Sequence, residues 1–346
     1  MGKTKNKMKI LVMAGGVSEE REVSLDSARA VTDSLIRMGH DVSVIDSATG
    51  KSLLDSNGKY LLEKDHDSVS KIALKQADTL ALTKSLKSID YKDTDLVFIA
   101  LHGGQGEDGT VQAILHLAGI KYTGSGMLAS AVAMNKAFAK QLVRHENILT
   151  PDWLLFKESD LARPQIVAEN IMTHFNMPVI VKPNNSGSTV GLSLVKDTNE
   201  LFDAVESAAS VTGEVLAEQY IRGREITAAI LNGKPLPLVE IIPAGELYDY
   251  QCKYTKGKSK YICPAEIPAD ITSDIQQSAE KIYKIIDCEG LARVDFIMSE
   301  QNQAYFLEVN TLPGMTELSL APMAAKEAGI DFDDLVDHIC QSALKE

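Results

Sequence analysis

Two short polar segments in the C-terminal third contain residue types that bind metal ions and stabilise phosphate groups. If the first lies on a β-strand, Arg293 and Asp295 share one face, because side chains alternate along a strand. Glu308 and Asn310 share a face of a second strand for the same reason, and pairing of the two strands would bring all four together. Hard oxygen ligands suit Mg²⁺ that carries nucleotide phosphates, and an arginine stabilises negative charge that develops beside them. The alternative is a solvent-facing sheet surface with salt bridges, but Gly314 nearby could bring a backbone N–H close to a substrate.

A glycine-rich segment at 182–191, KPNNSGSTVG, has the composition of a phosphate-binding loop. Its small residues let backbone N–H groups approach phosphate oxygens, and Ser188 and Thr189 add hydroxyl donors. Lys182 supplies a positive charge at the edge of the loop. It lies between two predicted strands and lacks the Walker spacing, so a plain hairpin loop is the alternative. Lys136, on a preceding helix, would by default be a solvated lysine.

A second glycine-rich segment at 101–109, LHGGQGEDG, follows a predicted strand and precedes a predicted helix. It has the GxGxxG spacing of a dinucleotide site, which raises the hypothesis of an NAD-dependent oxidoreductase. That fingerprint also needs an acidic residue about twenty positions later, and none occurs between Gly109 and Glu146. His102 ends the strand where open α/β sheets bind ligands, and a polar turn is the remaining alternative.

The elements that must position these residues fall into three parts. In the first, Ser24 is predicted to cap a helix that runs towards Gly39. The other elements predicted there are strands at 9–14, 41–46, 95–101 and 120–123 and a helix at 110–118. This order indicates a βαβ arrangement with a mainly parallel sheet.

The remaining two parts are predicted to be α+β modules. After a helix at 127–144, the second has strands at 178–183, 191–195 and 215–220 and a helix at 198–209. The third has strands at 225–231, 238–242, 292–298 and 304–309 and a helix at 274–288. The predicted fold therefore combines α/β and α+β architecture, with domains at 1–125, 126–222 and 223–346. The residues at 49–92 form an insertion with hairpin patterns at 70–74 and 79–83, to which we assign no function.

The composition excludes several classes of protein. The chain has 346 residues and a net charge of -13, so a nucleic-acid backbone would be repelled. No apolar run is long enough to span a membrane, and no signal peptide is recognisable, which predicts a cytoplasmic protein without a membrane partner. The four cysteines form no CxxC pair, as expected for thiols in a reducing compartment.

In combination, eight motifs resemble those of the D-alanine-D-alanine ligases of the ATP-grasp superfamily. They are GGVSEEREVS at 15–24, LHGGQGEDG at 101–109, YTGSG at 122–126, VKP at 181–183, GSTVG at 187–191, YDYQCKY at 248–254, RVD at 293–295 and EVNTLPGMT at 308–316. The resemblance implies a three-domain ATP-grasp architecture, with a Rossmann-like N-terminal sheet and two α+β modules that sandwich ATP. It also implies ligation of two D-alanines for peptidoglycan synthesis, through a D-alanyl phosphate and with release of ADP and phosphate.

The resemblance further implies a role for each matching residue. ATP would contact Lys136, Lys182, Ser188, Glu218, Gln219, Ile221, Glu225 and Lys253. The ligands of two Mg²⁺ or Mn²⁺ ions would be Asp295, Glu308 and Asn310. The substrate residues would be Glu20 and His102 for the first D-alanine, with Lys253, Ser319 and Leu320 completing the pocket. The catalytic residues would be Glu20, Ser188, Tyr254, Arg293 and Gly314. The segment at 246–260 is expected to close over the site, and the protein to be a homodimer.

Four features bear on the alternatives within and beyond this family. Relatives that make D-alanyl-D-lactate usually replace the tyrosine that matches Tyr254, so its presence favours the dipeptide over a depsipeptide. Thr189 stands where many members have serine, and Gln219 stands where some have lysine. A non-catalytic ATP-binding sensor would be expected to lack one of the four polar residues at 293–310, and all four are present.

Overall fold

The computed structural model describes residues 7–61, 93–187, 189–245, 258–316 and 319–345. Within them the strands form three sheets. None of the helices in this part of the chain is long and apolar enough to cross a membrane. The predicted hairpins at 70–74 and 79–83 lie outside the described residues, as do Ser188, Lys253 and Tyr254.

The first sheet is parallel, as predicted. It contains β1 (Lys9–Ala14), β2 (Asp41–Asp46) and β3 (Leu96–Ile99), in the order β2-β1-β3. Alternate residues of β1 face opposite sides, so Ile10 and Val12 pack with helix α1 (Arg21–Arg37), and Leu11 and Met13 pack with helix α2 (Thr110–Leu117). The sheet thus has a helix on each face.

Two predictions for this region are wrong. Helix α1 begins at Arg21, so Ser24 does not cap it; the Ser24 hydroxyl instead donates to the carbonyl of Ala100. The predicted strand at 120–123 is only a single parallel bridge between Val97 and Tyr122, because the chain turns away at once into Gly124.

The second sheet is antiparallel and has the order β4-β7-β5-β6. Its strands are β4 (Trp153–Phe156), β5 (Val179–Pro183), β6 (Ser193–Val195) and β7 (Val215–Gln219). Helices α6 (Pro164–His174) and α7 (Leu201–Thr212) share its apolar core, and the short helix α5 (Glu158–Leu161) precedes them. The glycine-rich loop at 184–192 joins β5 to β6.

The third sheet is also antiparallel, with the order β11-β10-β8-β12-β13 and β9 paired to β8. Its strands are β8 (Gly223–Leu231), β9 (Lys234–Pro235), β10 (Val239–Pro243), β11 (Ser259–Ile262), β12 (Leu291–Ser299) and β13 (Ala304–Asn310). Ser259 and Lys260, at the end of the segment expected to close over the site, are therefore strand residues; residues 246–257 are not among those described.

Helices from distant parts of the chain cover the third sheet. Helix α8 (Ala269–Ile285) packs on one face together with α3 (Met127–Met134) and α4 (Lys136–His145). Helix α9 (Leu320–Glu327) covers part of the other face, and α10 (Phe332–Ala343) joins the core that contains β1 and α1. The domain boundaries at 125/126 and 222/223 stay predictions. The helices at 127–145, which that division assigns to the second domain, pack against the third sheet, whose first strand begins at Gly223.

The single helix predicted for 127–144 is wrong in one respect. Asn135 has extended backbone angles and separates α3 from α4. Its side chain accepts a hydrogen bond from the Phe138 N–H at 2.9 Å, so it is the N-cap of α4. The break puts Lys136 at the first position of the new helix, beside the glycine-rich loop.

Candidate active site

Strands β12 and β13 bring the four polar residues of the sequence prediction together. Arg293 pairs with Asn310 in register, and Asp295 pairs with Glu308. Val294 and Val309, the apolar residues between them, point into the core on the opposite face. The predicted pairing of the two strands is confirmed, and the polar face opens into a cleft instead of forming a plain surface.

Asp295 is held from two sides. The Arg293 guanidinium donates from Nε to Oδ1 and from Nη2 to Oδ2, each at 2.9 Å. The hydroxyl of Thr227, a buried residue on the neighbouring strand β8, donates to Oδ1 at 2.5 Å. Together these contacts fix the direction of the carboxylate.

The oxygen donors at this corner fit a hard divalent cation. Asp295 and Glu308 lie side by side and are both partly exposed, which leaves room for water and phosphate oxygens to complete a coordination sphere. The amide oxygen of Asn310 accepts a hydrogen bond from Leu312 N at 3.0 Å, so its orientation is set by a local turn. In the described residues, no cluster of three or more His, Cys, Asp or Glu is placed to hold a metal, so a third ligand would have to be an amide, water or phosphate.

Two buried lysines line the same cavity beside the glycine-rich loop, Lys136 on α4 and Lys182 on β5. Lys136 Nζ donates to the Ser186 carbonyl at 2.6 Å and lies 3.1 Å from Glu308 Oε2. Lys182 Nζ lies 2.7 Å from Glu218 Oε2. Neither is a solvated surface lysine, and both have carboxylate partners that an anionic ligand could displace.

A cleft between the second and third sheets connects these groups. Its first part is a cavity of about 120 Å³ lined by both lysines, the loop and the polar face of β12 and β13. Its second part, of about 260 Å³, is lined by the link from Glu218 to Ile221 and by apolar side chains. Lys182 and Glu225 line both parts, so a ligand with a polar end and an apolar end could occupy them together.

Glu218 lies at the centre of a buried charge network. Lys140 Nζ is 2.9 Å from its Oε1, and Lys182 is near its Oε2. Burial alone would raise the pKa of Glu218, but the two ammonium groups outweigh it and lower the pKa below its usual value. The carboxylate is therefore ionised at neutral pH.

Glu20 is the residue before helix α1 and lies where the first sheet meets the glycine-rich loop. A side-chain carbon on Gly103 would lie 2.7 Å from Glu20 Oε2, and one on Gly187 would lie 2.8 Å from it. Only glycine at both positions leaves space for the carboxylate, and Gly103 also has a positive φ of 68°. Glu20 therefore joins the first and second modules at one point.

His102 is buried beside Glu20 at the end of the first sheet. Its Nε2 lies 3.0 Å from the Ser27 hydroxyl, which accepts a hydrogen bond from Met315 N at 3.1 Å. Its Nδ1 is 3.8 Å from Glu107 Oε1. Burial raises the pKa of the Glu107 carboxyl, although the nearby His102 opposes this shift.

Ser319 and Gly314 lie close together in the segment that follows β13. Ser319 Oγ accepts a hydrogen bond from Thr316 N at 3.1 Å, and a side-chain carbon on Gly314 would lie 2.8 Å from that hydroxyl. Ser319 is the residue before α9, and the buried Leu320 is the first residue of that helix. The Gly314 backbone is therefore close to a hydroxyl that could bind a carboxylate.

The sequence prediction missed three buried residues that support the groups lining this cleft, namely Thr227, Lys140 and Thr150. Thr227 lies two positions from Glu225 on the same face of β8, so strand alternation could have indicated it. Lys140 and Thr150 are buried through contacts with residues far along the chain. No local signal distinguishes such a lysine from a solvated one.

Comparison with known proteins assigns the chain to a family. The model for the D-ala D-ala ligase N-terminus matches residues 9–125, and the model for the D-ala D-ala ligase C-terminus matches residues 142–341. The D-alanine--D-alanine ligase of Syntrophotalea carbinolica is 40% identical over 335 residues, which are 97% of this chain and 96% of that protein. The enzyme of the same name from Synechococcus is 41% identical over 339 residues, 98% of this chain and 94% of that protein.

Solved structures agree with that assignment. The structure of a D-alanine--D-alanine ligase from Bacillus anthracis complexed with ATP has a TM-score of 0.74 and 33% identity, and covers 99% of this chain and 98% of that one. The VanG D-Ala:D-Ser ligase from Enterococcus faecalis has a TM-score of 0.77 and 31% identity, and the match covers 98% of this chain and 100% of that one. The chain belongs to the D-alanine–D-alanine ligase family.

Proposed function

We infer that this chain is an ATP-dependent ligase that joins two molecules of D-alanine into D-alanyl-D-alanine for peptidoglycan synthesis, with release of ADP and phosphate. The observation that carries this inference is the cleft in which Lys136, Lys182, Arg293, Asp295 and Glu308 converge. A three-module chain of this family, with cations and hard oxygen ligands in one cleft, has the parts that phosphoryl transfer to a carboxylate requires.

ATP is proposed to occupy both parts of the cleft. The apolar part would take the base, beside Glu218, Gln219 and Ile221. Glu225, which lines both parts, would bind the ribose hydroxyl groups. The loop and the two lysines would then surround the phosphates, where their positive charge offsets the phosphate charge.

Asp295, Glu308 and Asn310 are proposed to hold two Mg²⁺ or Mn²⁺ ions. Bound metal would supply positive charge to the nucleotide phosphates, as in other phosphoryl-transfer enzymes. Arg293 holds the Asp295 carboxylate in place at the cleft, and Lys136 lies close enough to Glu308 to exchange partners when the metal and phosphates arrive.

The two amino acids are proposed to bind at the end of the cleft towards the first sheet. Glu20 would accept hydrogen bonds from the ammonium of the first D-alanine, with His102 beside it. Ser319 and Leu320 would bind the second D-alanine near Gly314. This arrangement directs the carboxylate of the first substrate towards the phosphate region and the amine of the second towards that carboxylate.

The chemistry follows from these positions. A carboxylate is a poor electrophile, so transfer of the γ-phosphoryl group to the first D-alanine forms an acyl phosphate and ADP. The neutral amine of the second D-alanine attacks the acyl carbon, and phosphate leaves. Arg293 and the Gly314 N–H are proposed to stabilise the tetrahedral oxyanion between these steps. Ser188, Tyr254 and Lys253, proposed to orient the second substrate and the phosphate, lie outside the described residues.

The test is phosphate release from ATP and Mg²⁺, with product analysis, in the presence of D-alanine, L-alanine or no amino acid. We expect release only with D-alanine and the dipeptide as product. Further reactions contain D-alanine together with D-serine or D-lactate and test which compound is used as the second substrate. The presence of Tyr254 predicts that D-alanine is preferred. Asp295→Asn is expected to lower the rate at least 100-fold, since it removes a proposed metal ligand. ATP binding without amino-acid-dependent release would contradict the proposed function.

We further propose that the protein acts as a homodimer in the cytoplasm. The support is the family assignment together with the net charge of -13 and the cysteine pattern. Sedimentation equilibrium of the purified protein at micromolar concentration is expected to give twice the chain mass of 37.6 kDa. A single chain mass across that concentration range would contradict the dimer.

A further inference from the structure

Lys140 is a fully buried lysine that the proposed reaction does not use. It lies on α4 one helical turn after Lys136, and none of its side chain is exposed. Removing an ammonium group from water costs several kcal/mol unless paired charges and hydrogen bonds offset it. The partners of Lys140 therefore indicate what this charge does.

Those partners connect Lys140 to strands on both sides of the cleft. Lys140 Nζ donates to the Thr150 hydroxyl at 2.7 Å, and that hydroxyl donates to the Phe306 carbonyl of β13 at 2.8 Å. On the other side, Nζ is 2.9 Å from Oε1 of Glu218 on β7 and 5.6 Å from the centre of the Trp153 ring. Lys140 is thus fixed in position by the scaffold and is not among the residues that line the two cavities.

Glu218 shares its carboxylate between two lysines of different kinds. Lys182 lines both parts of the cleft and can turn towards a phosphate, whereas Lys140 is enclosed. When Lys182 contacts the nucleotide, Lys140 becomes the nearest cation to Glu218 among the described residues. Without it, a carboxylate that is only 2% exposed would be favoured in its neutral, protonated form.

The charge state of Glu218 determines what it can bind. It lines the apolar part of the cleft, and no described group donates an aligned hydrogen bond to Oε1, although Lys140 is within ion-pair distance. An ionised carboxylate only accepts hydrogen bonds, whereas a protonated one also donates. An ionised Glu218 therefore favours a base that presents an amino group and disfavours one that presents a carbonyl oxygen.

We propose that Lys140 is a positioning residue that keeps Glu218 ionised and in place after Lys182 has turned to the phosphates, and that it thereby selects a 6-amino purine over a 6-oxo purine. This inference rests on the proposed function, because it takes the nucleotide to lie in the cleft. It assigns to Lys140 the discrimination between bases, not the chemical step.

The charges around Lys140 add a pH dependence. Burial lowers the pKa of Lys140 to about 8; Glu218 opposes that shift, while Lys182 and Arg144 add to it. Thr150 and Trp153, the other side chains in contact, are neutral. When Lys182 moves towards the phosphates, one of the charges that lower the pKa is withdrawn, so nucleotide binding is expected to be accompanied by proton uptake near pH 8.

The experiment compares the binding of MgADP and MgIDP to the full chain by calorimetry. The wild type is expected to bind MgADP more tightly, and Lys140→Met to reduce that preference about tenfold or more. Lys140→Gln also removes the charge but keeps a hydrogen-bond donor. It is expected to show the same loss of preference for MgADP and replaces the methionine variant if that variant does not fold. Lys140→Arg is expected to restore most of the preference, and Lys326→Met, which alters an exposed lysine on α9, to leave it unchanged.

Two outcomes would overturn the proposal. The first is an unchanged ratio of the two dissociation constants in Lys140→Met and Lys140→Gln. The second is equal weakening of both nucleotides, which indicates only a structural role. Calorimetry in buffers of different ionisation enthalpy is expected to show proton uptake at pH 8 that both variants lose. Failure of the ligase function is seen separately, as wild-type protein that binds MgADP yet releases no phosphate with D-alanine.

Discussion

The ion pair between Arg21 and Asp46 is buried beside Gly15 and Gly16, just before helix α1. The guanidinium donates to both carboxylate oxygens, at 2.8 and 2.9 Å, and to the Gly16 carbonyl at 3.0 Å. A side-chain carbon on Gly15 would lie within 2.6 Å of both partners, so only glycine fits there. Because Arg21 directly follows Glu20, this pair fixes the helix start next to the Glu20 carboxylate, which is proposed to bind the first D-alanine.

We expect Asp46→Asn to lower the free energy of unfolding by about 3 kcal/mol, because it leaves a buried guanidinium without its counter-charge. The KM for D-alanine should rise as well. Burial raises the pKa of Asp46, but the hydrogen bonds and charge of Arg21 outweigh it, so the folded pKa is lowered. The stabilisation is complete above the unfolded pKa of about 3.9 and is lost as the pH falls through the lower folded pKa.

Urea unfolding of the wild type and Asp46→Asn at pH 7, 5 and 3.5 measures this difference. It should be the same at pH 7 and 5 and smaller at pH 3.5. Asp333→Asn is a matched control, since it breaks an arginine–aspartate pair with Arg37 that is largely exposed and should cost less than about 1 kcal/mol. Equal losses in the two variants would show that the burial of the Arg21 pair contributes nothing.

Thr227 gives a second prediction at the level of single residues. Its hydroxyl donates to Asp295 Oδ1, so Thr227→Val keeps the shape but removes the bond that orients a proposed metal ligand. We expect the Mg²⁺ concentration for half-maximal phosphate release to rise about tenfold, and Thr227→Ser to stay near the wild-type value. The measurement is a titration of free Mg²⁺ at saturating ATP and D-alanine. An unchanged titration in the valine variant would rule out the orienting role.

At the scale of elements, Asn135 decides where helix α4 begins. Asn135→Ala removes the cap on Phe138 N and should lower the free energy of unfolding by about 1 kcal/mol. It should also raise the KM for ATP, because Lys136 is the next residue and its ammonium is held at the loop. Asn135→Asp keeps an acceptor and should behave like the wild type. Thermal unfolding and steady-state kinetics together test both parts.

The N-cap of α10 provides the control for that prediction. Asp331 accepts a hydrogen bond from Asp334 N at 2.8 Å, so Asp331→Ala should cost a similar free energy of unfolding. This cap is not among the residues lining the two parts of the cleft, so the KM for ATP should not change. If Asn135→Ala also leaves that KM unchanged, the cap stabilises the helix without positioning Lys136.

The elements also show which features the sequence could predict. The convergence of Arg293 and Glu308 was predictable, because period-two alternation and one short turn determine it locally. The break at Asn135 was not, because asparagine is tolerated inside a helix at modest cost and nothing nearby marks the end. The burial of Lys140 was also hidden, since its partner Glu218 is 78 positions away and a helix lysine is normally solvated.

At the scale of the whole molecule, the first and third modules share one apolar core. Leu335 and Ile339 of α10 pack in the same apolar cluster as Ile10 and Val12 of β1, although 325 positions separate Leu335 from Ile10 in sequence. Sequence periodicity predicts each element but does not say which distant face it covers. The last helix therefore supports the sheet beside which Glu20 and His102 lie.

This sharing predicts that a change in α10 affects the first sheet. Leu335 is completely buried, so Leu335→Ala should lower the free energy of unfolding by about 3 kcal/mol through lost burial and a new cavity. Hydrogen exchange of the β1 amides should accelerate with it, because the two elements share one core. His338→Ala alters the exposed face of the same helix. It should change the free energy of unfolding by no more than about 0.5 kcal/mol and leave the exchange of the β1 amides unchanged. If Leu335→Ala instead speeds exchange only within α10, that helix unfolds separately and the first sheet is stable without it.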